Sequence, residues 1–330
     1  MDISVVVPTY NRRDLVLRTL RTVFDQDWPA SGFEVVVVSD GSSDGTVDAL
    51  KTLNPPCALT VIQQENRGQA AARNRGYRAS KSDLILFLDD DMLCEPGLVA
   101  AHVRAHRESL EQDSREVVGF GALFLSADSR RSLAAECFHR EIGAFYLSHS
   151  SDGDAELRIT DCTFSNASIR RRVLEEHDGF DERFRTREDL ELGLRLFRAG
   201  IHAKYVSEAV ARQYYDKSSA DLIRDAEAFA AADVLLAMEH PNERIEGQVL
   251  TLREQSWWRR AAYRTAARVP GLVDLVLAPA CGLGEALIDL RPARELGVRA
   301  LQFRRKAHWL GKVLADPRWK SRSLPMGKSV

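Results

Sequence analysis

Apolar runs bounded by turn residues open the chain, at residues 3–7, 34–39, 59–62 and Leu84–Leu88. Their length and β-branched content predict buried strands of the kind found in parallel sheets covered on both faces. Between them lie helical stretches, the first starting around Arg12 and a later one rich in small residues, 66–76. Residues 163–170 alternate apolar and polar, which predicts a further strand. In 188–199, Leu190, Leu194 and Phe197 fall at i, i+4 and i+7, the spacing of a core-facing helical stripe. The pattern predicts an α/β fold followed by a helical appendage.

The chemistry gathers where the strands end. Asp89, Asp90 and Asp91 follow Leu88 directly, and ligands of parallel α/β sheets bind outside the carboxyl ends of strands. If the extended chain continues, Asp89 and Asp91 point one way and Asp90 the other. Two such carboxylates suit Mg²⁺ or Mn²⁺ with positions left for substrate phosphates; the alternative is an acidic turn ahead of a helix beginning near Pro96. The first strand ends in Pro8-Thr9-Tyr10-Asn11, with no glycine-rich dinucleotide fingerprint after it. The second ends in Asp40-Gly41-Ser42-Ser43-Asp44-Gly45-Thr46, where Asp40 either accepts hydrogen bonds from a base or ribose or starts an Asx turn. The third leads to Asn66-Arg67-Gly68, and the helix that follows carries Arg73 toward the same edge. Asn166 and Ser168 line a sugar pocket or face solvent; Tyr214 and Tyr215 form an aromatic platform or pack. His102 and His106, at i and i+4 without a third ligand nearby, read as surface or core histidines.

VVVPTYNR, VSDGSSDGT, NRGQAAARNRG, FLDDD, and GFDERF followed by REDLELGLRL resemble, in order and spacing, the nucleotide-sugar glycosyltransferases of family 2. The resemblance covers about residues 1–215. It implies a GT-A fold, a Rossmann-like and mostly parallel sheet flanked by helices, with a nucleotide-sugar half (1–115) and an acceptor half (116–215). It further implies an inverting transfer from a UDP- or dTDP-linked sugar to a hydroxyl of a surface polysaccharide, lipid-linked glycan or other glycoconjugate, or to a small-molecule natural product. Carried over by position, Pro8, Thr9, Tyr10, Arg12, Asp40, Gly41, Asn66, Gly68, Arg73 and Asp90 resemble the donor contacts. Asp89 and Asp91 resemble the metal pair, and Asp189, with Glu188 as its alternative, resembles the base. Thr186 fits a capping box with Asp189, which is compatible with that role. Many relatives add a metal-ligating His; the corresponding stretch here, 211–217, has none, so Asp216 or water would complete the shell.

Two other classes of protein would show different residues here. A nucleotidyltransferase would carry a glycine-rich loop where Pro8-Thr9-Tyr10 stands, and a non-catalytic nucleotide- or glycan-binding protein would be expected to lose Asp89, Asp91 or Asp189. Five scattered cysteines without C-x-x-C spacing read as reduced thiols of a cytoplasmic protein, and the first strand begins with no leader before it.

Charge divides the chain. Residues 251–330 hold sixteen Lys and Arg against six Asp and Glu, with four of the five tryptophans. Residues 216–330 therefore predict a basic helical extension. Trp257–Arg268 and 300–314 would be amphipathic helices on the inner membrane face, and 269–290, broken by Asp274, Pro279 and Glu285, an interfacial hairpin. The alternative is an appendage whose cations pair with the acidic remainder. Nucleic acid is not an expected partner, for no recognised binding module is present.

Overall fold

The computed structural model describes residues 2–113, 115–143, 163–240 and 257–320. They form two units: residues 1–129 with 139–215, and residues 130–138 with 216–330.

The first unit is built on an eight-stranded sheet: β1 (Ile3–Thr9), β2 (Phe33–Asp40), β3 (Ala58–Gln64), β4 (Leu84–Leu88), β5 (Met92–Cys94), β6 (Val117–Leu125), β7 (Asn166–Arg170) and β8 (His202–Gln213). Their order is β3-β2-β1-β4-β7-β6-β8-β5. β1, β2, β3 and β4 run parallel. β7 is antiparallel to β4 and β6, β8 is parallel to β6, and β5 is antiparallel to β8. Every residue of β1, β2 and β4 is buried, as expected of central strands covered on both faces.

Helices α1 (Arg13–Phe24), α2 (Thr46–Lys51), α3 (Gln69–Ala79) and α4 (Leu98–Asp113) connect the first strands. The small residues of α3 have a steric cause. A Cβ on Gly76 would stand 2.3 Å from Val6 Cγ1, and Ala70, Ala71 and Ala72 are buried beside it. The helix therefore lies close on the sheet and brings Arg73 to its edge. Beneath it, Phe87, Phe164 and Phe180 meet edge-to-face.

β6 and β8 change register between Gly121 and Ala122. Asn166 occupies the gap: its Nδ2 donates to the carbonyls of Ala209 (2.9 Å) and Ala122 (3.3 Å), and a Cβ at Gly121 would stand 2.2 Å from that nitrogen. The side chain satisfies carbonyls that the irregular ladder leaves over.

After α6 (Arg171–Glu176) comes α7 (Glu188–Arg198). Its buried stripe corrects the sequence reading in part: Leu194 is buried and Leu190 half-buried, but Phe197 is 52% exposed. Glu188, Leu192 and Leu196, at i, i+4 and i+8, are the most deeply buried line of the helix. Arg187, at φ 66, is the N-cap and no side chain caps the helix, so the capping box expected from Thr186 does not form.

The second unit comprises α5 (Leu133–Phe138), α8 (Ser219–Glu239), α9 (Trp257–Arg268), α10 (Pro270–Ala286), α11 (Arg291–Ala315) and α12 (Pro317–Lys320). Residues 130–138 belong to it although they fall inside the stretch assigned by sequence to the acceptor half. Trp309 is fully buried and donates to Asp233 Oδ2 at 2.8 Å, so it is a core residue rather than an interfacial anchor. The side chains of Trp257 and Trp258 and all of Cys162 lie outside the described residues. Cys57, Cys94, Cys137 and Cys281 are free and buried.

Replacing Gly76 with Ala forces α3 away from β1, and overpacking of this kind costs about 1–3 kcal/mol. Urea denaturation should show that loss; an unchanged midpoint would mean that the approach of α3 to the sheet is not tight.

Candidate functional site

The carboxyl ends of β1, β2 and β4 are fastened to one another by side chains that the sequence places in their turns. Asp40 accepts from Gln64 Nε2 (2.7 Å) and from the amides of Arg67 and Gly68 (both 2.8 Å). It thereby fixes the 66–68 loop, whose Gly68 has φ 93, a backbone state that favours glycine. Gly41 is required beside it, since a Cβ there would stand 2.8 Å from the Asn66 amide nitrogen. Asn11 accepts from the Ser43 amide and Asp44 accepts from the Arg13 amide, which joins the loops after β1 and β2. Here three protein donors use the Asp40 carboxylate to hold a loop.

Asp89, Asp90 and Asp91 do not alternate as an extended strand would. β4 stops at Leu88, and the Met92 amide donates back to the Asp89 carbonyl at 3.3 Å, closing a turn. The turn divides the triplet differently. Asp90 and Asp91 share Arg12, whose Nη1 is 2.7 Å from Asp90 Oδ1 and whose Nη2 is 3.0 Å from Asp91 Oδ2. Asp89 faces Gln69 and Arg73, each at 2.9 Å from its Oδ1. Thr9 Oγ1 donates to Asp90 at 2.7 Å and is itself buried, so Thr9 holds the turn from within; Pro8 is buried in β1. Burial pushes the Asp90 carboxyl up to about 7, against the opposing pull of Arg12, and Asp91 is raised for the same reason.

Arg73 joins this turn to α7. Its guanidinium is 2% exposed and donates to Asp89 Oδ1 at 2.9 Å and to Glu188 Oε1 at 2.8 Å. The ring of Phe180 lies 5.4 Å from it. Burial works against its charge, but Asp89, Glu188 and Asp189 outweigh that and raise its pKa. Arg73, expected from the resemblance to meet the donor, is here enclosed by carboxylates. Glu188 is 4% exposed, and burial with its neighbour Asp189 raises its pKa. Adjacent helical residues point about 100° apart; with Glu188 turned to Arg73, the half-buried Asp189 takes the other direction.

The residues expected to line a sugar pocket separate on inspection. Asn166 and Ser168 are 2% and 0% exposed. Asn166 Oδ1 is 3.0 Å from His102 Nε2, and Ser168 Oγ lies 2.8 Å from His102 Nδ1 and 2.9 Å from His106 Nε2. This chain sits inside the sheet, under α4, because Gly119 and Gly121 leave room for it. Burial lowers both histidines, to about 4 and about 3, so the network is neutral. Tyr215 is buried, while Tyr214 receives Arg18 over its ring at 4.5 Å, so the two do not make a common platform.

The open rim of the site is made by Tyr10 (49% exposed), Asn66, Arg67 and Arg185. Arg185 Nη1 reaches Asn66 Oδ1 at 3.4 Å. Sequence reasoning missed it, along with Gln69 and Gln213. Gln213 stands in the stretch where relatives would carry a histidine and donates to Asp91 at 3.2 Å, while the Tyr214 amide donates to the Asp91 carbonyl at 2.8 Å. The signal for Gln213 was its place at the end of β8, next to a turn whose position only the fold supplies.

Among the described residues no group of three His, Cys, Asp or Glu side chains is arranged to hold a metal. The donors present are two hard carboxylates in one turn, and the side chain of Asp89 is 22% exposed. Hard oxygen donors of this kind suit a divalent cation of the Mn²⁺ or Mg²⁺ class that shares its shell with phosphate oxygens and water, but here Asp89 is paired with Arg73 and Asp91 with Arg12, so a cation would have to displace those pairings.

Comparison with known proteins follows the same outline. Residues 4–178 match the glycosyl transferase family 2 model. The chain is 41% identical over 106 residues to validoxylamine A glucosyltransferase of Streptomyces hygroscopicus, covering 32% of this chain and 25% of that protein. It is 22% identical over 244 residues to dolichyl N-acetyl-alpha-D-glucosaminyl phosphate 3-beta-D-2,3-diacetamido-2,3-dideoxy-beta-D-glucuronosyltransferase of Methanococcus voltae, covering 71% of this chain and 73% of that protein. Over its most similar stretch the chain spans about a quarter of the length of the curated relatives it matches. Among solved structures, mannosyltransferase PcManGT from Pyrobaculum calidifontis, in complex with GDP-Man and Mn²⁺, superposes with a TM-score of 0.63 at 19% identity, over 96% of this chain and 88% of that one. The likeness shows the GT-A fold.

Glu188→Gln gives a pH test of the buried pair. A carboxyl whose pKa is raised on folding holds more protons folded than unfolded, so its contribution to stability is full below the ordinary carboxylate pKa of ~4 and is lost as pH rises through the folded value. Glu188 should therefore contribute a loss of stability as pH rises from acid to neutral, and the difference in urea-melt stability between wild type and Glu188→Gln should change over that range. A constant difference would show that Glu188 stays ionised throughout.

Proposed function

Because the chain belongs to glycosyl transferase family 2, we propose that it is an inverting enzyme moving a sugar from a nucleoside diphosphate, UDP or dTDP, to a glycan or lipid-linked acceptor. The observation that carries the reading is the bridge from Asp89 through Arg73 to Glu188. It ties the carboxylates suited to a metal and diphosphate to the helix turn that presents Asp189.

In this reading Asp189 takes the proton of the acceptor hydroxyl. The acceptor oxygen forms its bond to the anomeric carbon as the bond to the diphosphate breaks, and the nucleoside diphosphate leaves with that electron pair. Asp89 and Asp91 would hold Mn²⁺ or Mg²⁺, which when bound neutralises charge on the leaving group. Glu188 stays with Arg73 as a positioning residue. Asp40, Thr9 and Arg12 hold the loops, while Tyr10, Asn66, Arg67 and Arg185 meet the donor from the rim. Support for a nucleotide-sugar donor comes from the solved mannosyltransferase with GDP-Man and Mn²⁺. Support for a lipid-linked acceptor comes from the dolichyl-phosphate-saccharide relative, which matches over most of both chains. A small-molecule acceptor is the second reading, on the 41% identity to validoxylamine A glucosyltransferase. We also assign the chain's basic extension, 216–330, to an anionic membrane surface on the cytoplasmic side.

Asp189→Asn should reduce transfer by about 10²–10⁴-fold, the usual share of a general base, while calorimetric donor affinity stays within about twofold of wild type. A parallel fall in both would make Asp189 a donor-binding or structural residue. Product with retained anomeric configuration by NMR would overturn the single-displacement mechanism.

A further inference from the structure

Among the described residues of the second unit, one helix face is left without a partner. On α10, Leu272 is 57% exposed, Leu275 74%, Val276 64% and Leu283 48%, and Leu287 and Leu290 just after it are 43% and 55% exposed. At ~100° per residue these positions fall on one side of the helix, together with Pro279. The opposite side does the packing. Cys281 and Gly284 are buried, and a Cβ on Gly284 would stand 2.7 Å from the Gly297 Cα, so α10 and α11 touch through glycines.

Both acids of α10 are on that inner side. Asp274 pairs with Arg304 at 2.8 Å and with His308 at 3.0 Å, and Glu285 accepts from the Leu133 amide at 2.9 Å. The outward face of α10 itself therefore carries no charge, and the exposed carboxylate just after it, Asp289, is paired with Arg131. Exposed arginines bracket it instead: Arg264 and Arg268 before the helix, Arg291 and Arg299 after it.

Resting on the assignment of the extension to a membrane, we infer that α10 is the membrane-contacting element, lying in the plane of an anionic lipid surface with Leu272, Leu275, Val276 and Leu283 in the acyl boundary. The sequence reading put both tryptophan-bearing helices and a 269–290 hairpin at the membrane; here the contact is narrowed to the single helix Pro270–Ala286 within that stretch, since one of the tryptophans, Trp309, is buried in the core. A contiguous apolar face of this size flanked by cations is the form of an interfacial helix. No single described helix is long and apolar enough to cross a membrane, and the pair Ala261–Arg268 and Pro270–Ala286 is bent by 106°, which fits a helix lying flat. A second copy of the chain fits less well. A two-fold contact through this face would bring arginines together, whereas anionic headgroups attract them.

The test is flotation of the full chain with phosphatidylcholine vesicles and with vesicles that also contain phosphatidylglycerol. Wild type should float with the anionic vesicles, and Leu275→Glu with Val276→Glu should weaken this by at least about tenfold, the scale of losing two buried aliphatic side chains. Both positions are mostly solvent-facing, so the thermal midpoint should be unchanged, and Leu275→Ala offers a milder second variant. If the double variant floats like wild type while Arg264→Gln with Arg268→Gln does not, the extension binds membranes by charge alone and the α10 face is overturned. If wild type floats with neither vesicle, both the face and the membrane assignment fall. A concentration-dependent dimer abolished by the double variant, without flotation, would make the occupant a second copy and overturn the inference.

Discussion

The site depends on a guanidinium that water cannot reach. Arg73 is held between Asp89 and Glu188 at 2.9 and 2.8 Å, and its Nε has no hydrogen-bond partner among the described residues. Desolvating a charge is expensive and tolerable only when partners surround it. Side chains from α3, the turn after β4 and α7 are therefore obliged to stay together, since losing the partners of Arg73 would strand its charge in a low-dielectric interior. Arg12 repeats the device on the other side of the turn, against Asp90 and Asp91. The two arginines balance a triplet of carboxylates that would otherwise repel each other.

This constraint explains why small residues and glycines surround the site. α3 reaches the sheet edge because Gly76 and three alanines let it lie against β1. The 66–68 loop sits where it does because Asp40 gathers its amides and Gly68 takes a backbone state that favours glycine. Loop positions are thus set by hydrogen bonds to buried carboxylates, and the exposed groups Tyr10, Asn66, Arg67 and Arg185 are left to meet a ligand. Holding groups on rigid elements is what lets a site stabilise charge without reorganising.

The central strands were legible because continuous β-branched runs have few alternatives, and the acids were legible because they sit where strands of such sheets end. What the sequence could not convey was direction. Asp89 to Asp91 were expected to alternate, but alternation requires a strand, and β4 ends one residue earlier. Asn166 and Ser168 looked like pocket residues because polar positions in a strand usually face outward; a register shift in the neighbouring ladder and two glycines in β6 turned them into core. Arg73 was placed among the donor contacts by its position in the family pattern, and its partners in the fold come from residues 16 and 115 positions away, which no local pattern could indicate. The 130–138 segment joins the helical unit through contacts that carry no local signal.

The central claim is that the Asp89–Asp91 turn, clamped by Arg73 and Arg12, receives a nucleoside diphosphate through a divalent ion. Calorimetric titration of UDP, dTDP and GDP into the full chain, each with Mn²⁺ and with EDTA, addresses it directly. The account predicts that UDP or dTDP binds with Mn²⁺, that EDTA abolishes this, and that Asp89→Asn does the same. Equal affinity in EDTA would move the phosphate contacts to the rim arginines and contradict the metal role, and no binding of any nucleotide would contradict the site itself.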